Sequence, residues 1–440
     1  MTDNKPMPSV AMPMKRRSVL VGGLSLAALG GAGAFSGSAF AASAPVRFGI
    51  YGNAAKLEAR GKSVARYVEL HPDMPVTYEG VPSDLWPDKI AAMVAGGTAP
   101  DVITLGGGDL PQYAARGALA TLDEYSPAIF HADNFDKPVL DLGRVKGKLY
   151  GIPIAVSIHG LGYNQSALDR IGMGTPPDAW TYDEYAKFCA DIHKADPKLY
   201  GSHDGAANLG VFQIYLISAG KQLFDGQKLG VTVDDVAGWL DYWDAMRKSG
   251  GAVPPDLQAQ FTNTEWPNSP LVKGTAVFSQ IASQDLSGGY QALMTDTLSI
   301  TTPPSVTAGG SPGYFPQPTS SLCLYSKSNN KEAAVAVMDW FVSDPESAKI
   351  LGLISGPPAS KPALEAVLGL DDLAPVDKKV LKYSQTALSK AEPAPELPLG
   401  MRAVGDLMRR VNEDVGFGKS SVADGANNFV NQANALLRRA

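Results

Sequence analysis

The chain has 440 residues, 38 of them basic and 44 acidic, with a net charge of −6, 45% hydrophobic and 19% charged residues. One small core is excluded at this length; two or three lobes are expected at about 150 residues per domain. The mix is that of a globular chain and not a disordered one, and the acidic balance argues against nucleic acid or an anionic membrane surface as partner.

The N-terminus reads as an export signal over residues 1–41. In "MKRRSVLVGGLSLAALGGAGAFSGSAFAASAP" the pair Arg16-Arg17 precedes a glycine-diluted apolar run and small residues at Ala39 and Ala41. The arginine pair with a weakly apolar run resembles a twin-arginine signal. A spanning helix would need about 20 strongly apolar residues. This run carries six glycines and four serines between Ser18 and Ser38. Losing residues 1–41 removes four bases and one acid, which takes the net charge from −6 to −9. No cysteine stands near the cleavage site, so a free periplasmic protein without a lipid anchor is expected. The two cysteines, Cys189 in a helix-like stretch and Cys323 in a strand-like one, read as separately buried thiols.

From Val46 short apolar runs alternate with amphipathic stretches. "VRFGIYG" is a strand, "AAKLEARGKSVARYVELHP" a helix stopped by Pro72, "PVTYEGV" a strand. "SDLWPDKIAAMVAGG" is a helix, with Ser83 as its expected N-cap and Gly96-Gly97 as its close, and "DVITL" is a third strand. This order predicts an α/β layer with a largely parallel sheet. The glycines of "GKLYGIPIAVSIHGLGYN" suit a chain leaving one sheet for another. Helices near 181–195 and 232–248 and a strand at "TAVFSQ" follow. Proline and glycine keep 301–318 irregular. A strand, "SSLCLYS", then a helix, "KEAAVAVMDWFVS", and a helical segment over 400–439 complete the chain. Strand–helix signals that appear, pause and return suit a chain that builds one lobe, crosses to a second and recrosses.

Chemistry was sought at the glycine cluster "AAMVAGGTAPDVITLGGGDL". A phosphate loop needs G-x-x-x-x-G-K-[ST]. "GKS" occurs at Gly61 and Gly418, but Lys56 and Glu413 stand where the upstream glycine belongs. Nucleotide chemistry is rejected. The five histidines, His71, His131, His159, His193 and His203, form no metal-ligand pattern, and the stretch "SQDLSGGY" does not fit the G-x-S-x-G of a serine hydrolase. No local carboxylate pair announces a glycosidase, and no cofactor is called for. Aromatic, amide and hydroxyl groups remain, a set suited to carbohydrate.

The segment "MVAGGTAPDVITLGGGDLPQYAARGALATLDEY" resembles the signature of the family 1 extracellular solute-binding proteins of ABC importers, the maltose-binding-protein-like, carbohydrate-type group. "GKLYGIPIAVSIHGLGYNQSALDRIGM", "AWTYDEYAKF", "LVKGTAVF" and "SKSNNKEAAVAVMDWFVSDPESAKIL" match further blocks in order. The resemblance implies a type II periplasmic-binding-protein fold: two α/β lobes, a ligand cleft between them and a closing hinge. It places lobe 1 at 45–155 and 319–362, and lobe 2 at 156–318 and 363–440. Cys189 and Cys323 then fall in different lobes, where a bridge would lock the hinge. It also implies a small carbohydrate ligand, permease subunits as partners, a monomer and no catalysis.

Family contact positions carry over one by one. Tyr51 and Asn53 match the loop after the first strand. Gly107 and Asp109 match the second loop, with Asp109 as hydroxyl acceptor. Ser157 and His159 occupy the first crossing, and Phe212 and Tyr215 match an aromatic wall. Gln280 and Gln284 follow "KGTAVF", where relatives often carry a tryptophan. Arg402 matches a C-terminal segment lining the cleft. Trp86, Trp266, Trp340 and the pair Tyr163-Asn164 read as packing. Two alternatives stay open at this point: a receptor for a polyamine or an acidic small molecule, and a secreted glycosidase or lyase.

Overall fold

The computed structural model describes residues 44–261 and 266–439; the predicted signal over 1–41 lies outside them. Among the described residues no helix is long and apolar enough to cross a membrane.

The chain opens with β1 (Val46–Gly52), α1 (Ala54–Leu70), β2 (Val76–Pro82), α2 (Trp86–Ala95), β3 (Val102–Leu105) and α3 (Leu110–Ala115). Asn53 starts α1 by accepting the Lys56 amide. The expected cap at Ser83 is a correction. α2 begins at Trp86 behind Leu85, which makes no side-chain cap. Pro87 is the physical reason: it has no amide and its fixed φ suits only the first turn, so the start moves onto it. Gly97, at φ +70°, ends that helix in the left-handed region.

β4 (Gly151–Pro153) completes the visit to the first sheet. β5 (Val156–Ser157) and β6 (His159–Asn164) carry the chain onward, followed by α4 (Tyr182–Ala195), β7 (Tyr200–Ser202), α5 (Leu209–Ser218), α6 (Val233–Lys248), β8 (Ala276–Ala282) and β9 (Leu298–Thr301). Two capping boxes, Thr181 with Glu184 and Thr232 with Asp235, start α4 and α6. The chain returns through β10 (Gln317–Pro318) to β11 (Ser321–Leu324) and α7 (Lys331–Ser343). It ends in α8 (Pro375–Leu388), α9 (Met401–Gly416) and α10 (Val422–Arg439).

The first sheet has the order β2-β1-β3-β11-β4, with β1 parallel to β2 and β3, and β11 antiparallel to both its neighbours. The second has the order β9-β6-β8-β7, in which β6 runs antiparallel to both β8 and β9. Between them β5 and β10 pair as a ribbon, Ser157 opposite Gln317.

Each sheet has its own core. Phe48, Ile50, Val102, Leu322, Val335, Met338 and Phe341 fill one on the first sheet. Leu161, Tyr185, Phe212, Trp239, Trp243 and Phe278 fill the other, sealed by Leu407 and Phe429 of the C-terminal helices. Cys189 and Cys323 are free and buried in separate clusters. Gly160 of β6 is required by close approach: a Cβ there would stand 2.7 Å from the Tyr383 hydroxyl.

Candidate functional site

On the first-sheet side, β1 ends at Tyr51, whose ring lies 6.1 Å from that of Trp86. Burial pushes the Tyr51 phenol above its ordinary pKa; Arg60 opposes this and Asp109 adds to it. Arg60 is 3% exposed. It donates to the Tyr51 carbonyl and, at 2.8 Å, to Ser355 Oγ, while its Nε has no partner. One turn into α1, Lys56 makes no side-chain hydrogen bond among the described residues. Burial, then Arg60, lowers its pKa, and the Asp285 carboxylate opposes them. Asn53 is spent locally, its Oδ1 accepting the Lys56 amide at 2.9 Å.

The glycines of the second loop serve contact with chain, not phosphate. A Cβ on Gly107 would stand 3.1 Å from Pro318 Cγ, and one on Gly108 would stand 3.5 Å from Met401 Cε. Asp109 precedes α3 without capping it. Its carboxylate takes Arg402 Nη2 instead, at 3.3 Å and 3.5 Å.

On the second-sheet side, register places His159 opposite Ala282 and Leu161 opposite Gln280. Opposed residues share a face and alternate along the strand, so His159 and Gln280 are diagonal neighbours at the rim of the second core. The segment before α5 and the first turn of α5 lie over them. A Cβ on Gly205 would stand 3.1 Å from Gln280 Oε1, and one on Gly210 would stand 3.9 Å from His159 Cε1. Burial pushes the His159 imidazole down to about 4, so it is neutral at pH 7. Past β8, Gln284 packs on Gly356. Burial pushes Asp285 up to about 6 against the pull of Lys56. Ser157 is buried in the ribbon.

A common feature links these groups. Among the described residues Gln280 Oε1, Gln284 Oε1 and Arg60 Nε are buried without a hydrogen-bond partner, while Ser320 lies against the Tyr51 hydroxyl. Asp285 does not cap the helical turn it precedes, and His159 and Asp285 make no side-chain hydrogen bond among the described residues. Unpaired donors and acceptors therefore stand on elements packed with both sheets.

Two predicted wall residues stand elsewhere. Phe212 is fully buried, its ring 5.3 Å from that of Trp239. Tyr215, further along α5, packs against Tyr182 and Trp239 at 5.1 Å each and lies in the field of Lys221 and Asp235. The cause is that "LGVFQIYLIS" is apolar all round, so its period marks no face. Trp86 and Trp340 are buried packing residues, and Trp266 lies against Tyr290. Tyr163 is core, and Asn164 caps the next helix and bonds Asp296. Lys56, Arg60, Asp285 and Ser320 were missed. Lys56 and Asp285 adjoin named positions, but their pairing spans more than two hundred residues and no local pattern announces it.

A family model described as bacterial extracellular solute-binding protein matches residues 62–374. A curated binding protein of Brucella abortus is 28% identical over 188 residues, 42% of this chain and 43% of that one. The chain thus matches less than half the length of that relative. A family 1 extracellular solute-binding protein of Alicyclobacillus acidocaldarius has a similar structure, with TM-score 0.71 and 25% identity, over 90% of this chain and 100% of that one. A periplasmic oligogalacturonide-binding protein of Yersinia enterocolitica, solved with saturated digalacturonic acid, superposes with TM-score 0.78 at 19% identity, over 90% and 99% of the two chains. The family match spans well over half of the chain, and with two sheets, two cores and a ribbon pairing segments that link them, the chain belongs to the bacterial extracellular solute-binding proteins.

Proposed function

We propose that this protein is the capture subunit of an ABC importer and holds a sugar between two lobes, 45–155 with 319–362 and 156–318 with 363–440. The lobes close about the β5–β10 ribbon and hand the ligand, unaltered, to the permease. The signal over 1–41 sends it to the periplasm as a free monomer.

One observation carries this reading: the unpaired buried polar atoms of Gln280, Gln284 and Arg60, beside His159 and Asp285, which make no side-chain hydrogen bond among the described residues. Each buried orphan costs about 1–3 kcal/mol, so a set of them in a native fold marks groups awaiting a partner. The set holds both acceptors and a donor, and a hydroxyl satisfies either kind. A polyol or sugar ring is the small molecule dense in such groups. The digalacturonate held by the Yersinia neighbour supports the same class. The free ammonium of Lys56 favours a ring bearing a carboxylate as a second reading. A polyamine would want free carboxylates; Asp109 already has Arg402, and Asp285 faces the Lys56 ammonium and is pushed by burial toward its neutral form.

Catalysis has one geometric lead, and it fails. His203 Nδ1 lies 2.6 Å from Ser279 Oγ, the spacing of a base and a nucleophile. Both are sealed, at 2% and 0% exposure, on the face of β8 away from Gln280. Burial pushes that imidazole down to about 3, too weak a base for neutral pH.

The test is a thermal-shift panel of neutral and acidic sugars, followed by calorimetry on Gln280→Leu with the best ligand. Affinity should fall at least tenfold while the variant's Tm holds or rises, because an unpaired buried acceptor has been removed. Unchanged affinity removes Gln280 from the site; a panel with no shift rejects the sugar.

A further inference from the structure

The Asp109–Arg402 contact joins the loop of the first-sheet core to the helix that seals the second. Both residues are placed against local preference. Asp109 stands before α3, where an aspartate ordinarily accepts helix amides, yet it makes no such bond. Arg402 sits in the first turn of the 16-residue α9, at the positive end of its dipole. The carboxylate and guanidinium meet at 3.3 Å. Around them Gly107 lies on Pro318 and Gly108 on Met401, at separations that leave a Cβ 3.1 Å and 3.5 Å from its neighbour. Gly400, at φ +83°, turns the chain into α9 at this point.

The remaining polar groups lie inward of this contact. Arg402 is 72% exposed and Asp109 33%, whereas Arg60 is 3% exposed. Gly106 ties the contact to Tyr51: a Cβ there would be 3.8 Å from the Tyr51 hydroxyl and 3.7 Å from Asp109 Oδ2. At the other limit stands Lys56, facing Asp285. Two extended residues and one helical turn separate the Tyr51 and Lys56 Cα atoms, at most about 12 Å.

We propose that Asp109 and Arg402 form a latch that shuts one end of the cleft and limits the ligand to one or two sugar rings. This rests on the sugar reading above. The latch stabilises the closed form by only a fewfold, as befits an ion pair open to water. Its specificity comes from Gly107 and Gly108 lying on the Pro318 and Met401 side chains, which would close that end to a third ring. An extended oligosaccharide has to hold the latch open and forfeits closure.

Two readouts test it. The first needs no ligand. Spin labels on Lys89→Cys and Lys419→Cys, with the two native thiols buried, report the separation of the halves. A short-distance population should be present and should fall at least twofold in Arg402→Gln or in 1 M salt. Identical distributions overturn the latch. The second is a calorimetric series of one to four rings of the sugar found by the panel. Wild-type affinity should drop at least tenfold at the third ring, and the ratio of four-ring to one-ring affinity should rise at least tenfold in Arg402→Gln. Equal wild-type affinity along the series overturns the length limit. A panel without any sugar ligand rejects the sugar reading and the length limit built on it, and the distance distributions then judge the latch alone.

Discussion

Asp285→Asn isolates one buried carboxyl in the candidate cleft. Its pKa is raised from 3.8 to about 6 by burial. Between those values the folded chain keeps a proton that the unfolded chain has released, so stability falls as pH rises. The contribution is fully present below about pH 4 and lost once pH passes about 6. A shift near two units is worth about 3 kcal/mol at about 1.4 kcal/mol per unit. The amide cannot ionise and escapes this loss. Relative to wild type, Asp285→Asn should therefore gain about 3 kcal/mol between pH 4 and pH 7. For a chain of this length that is roughly 3–5 °C in Tm. The difference between variant and wild type is the quantity to read. His159, pushed down to about 4, has the opposite sign: its share is present above about 6.5 and lost as pH falls through 4. Lys56 pulls the Asp285 pKa down, so Lys56→Met should extend the window upward. Scanning calorimetry at half-unit steps from pH 4 to 7.5 decides it. A variant-minus-wild-type difference that stays flat refutes the burial of Asp285 and the closed arrangement behind it.

Three further outcomes follow from packing. Phe212→Ala should lose about 3–5 kcal/mol in urea titration, as a core truncation does, because the ring is fully buried against Trp239; a loss under 1 kcal/mol would return Phe212 to the cleft wall. Arg247→Met should cost about 3–5 kcal/mol, since it strands Asp204, which is 2.6 Å from the guanidinium and also bonded by Asn412; an unchanged urea midpoint would contradict that buried network. Gly160→Ala should lower Tm through its 2.7 Å approach to the Tyr383 hydroxyl, and the double variant with Tyr383→Phe should recover part of the loss. Recovery of nothing would mean that Ile300 Cδ1 and the Tyr383 ring carbon, each 2.8 Å from that Cβ, set the limit and not the hydroxyl.

Much of the scaffold was legible because it rests on local rules. The strand–helix alternation from Val46 to Leu105, the helices near 181–195 and 232–248 and the crossing through "GIPIAVSIHGLGYN" are local signals, and each element stands within a residue or two of its expected place. Ser83 misled because a proline four residues on outweighs a serine hydroxyl in setting the start of α2. The site was legible in a different measure. Tyr51, Asp109, His159, Gln280, Gln284 and Arg402 were all named, but not that Asp109 and Arg402 meet each other. Lys56 with Asp285, and Arg60 with Ser355, are made by the fold across long loops. Phe212 and Tyr215 lay in a stretch without polarity contrast, where the period carries no direction. The glycine run was read for a phosphate first; its use is to bring Gly107 and Gly108 against Pro318 and Met401.

The central claim is capture by closure without chemistry. Small-angle scattering of the chain with the sugar selected by the panel, beside a product analysis of the same sample, tests it directly. The account predicts a smaller radius of gyration on saturation and the sugar recovered intact. An unchanged radius together with consumption of the sugar would contradict it.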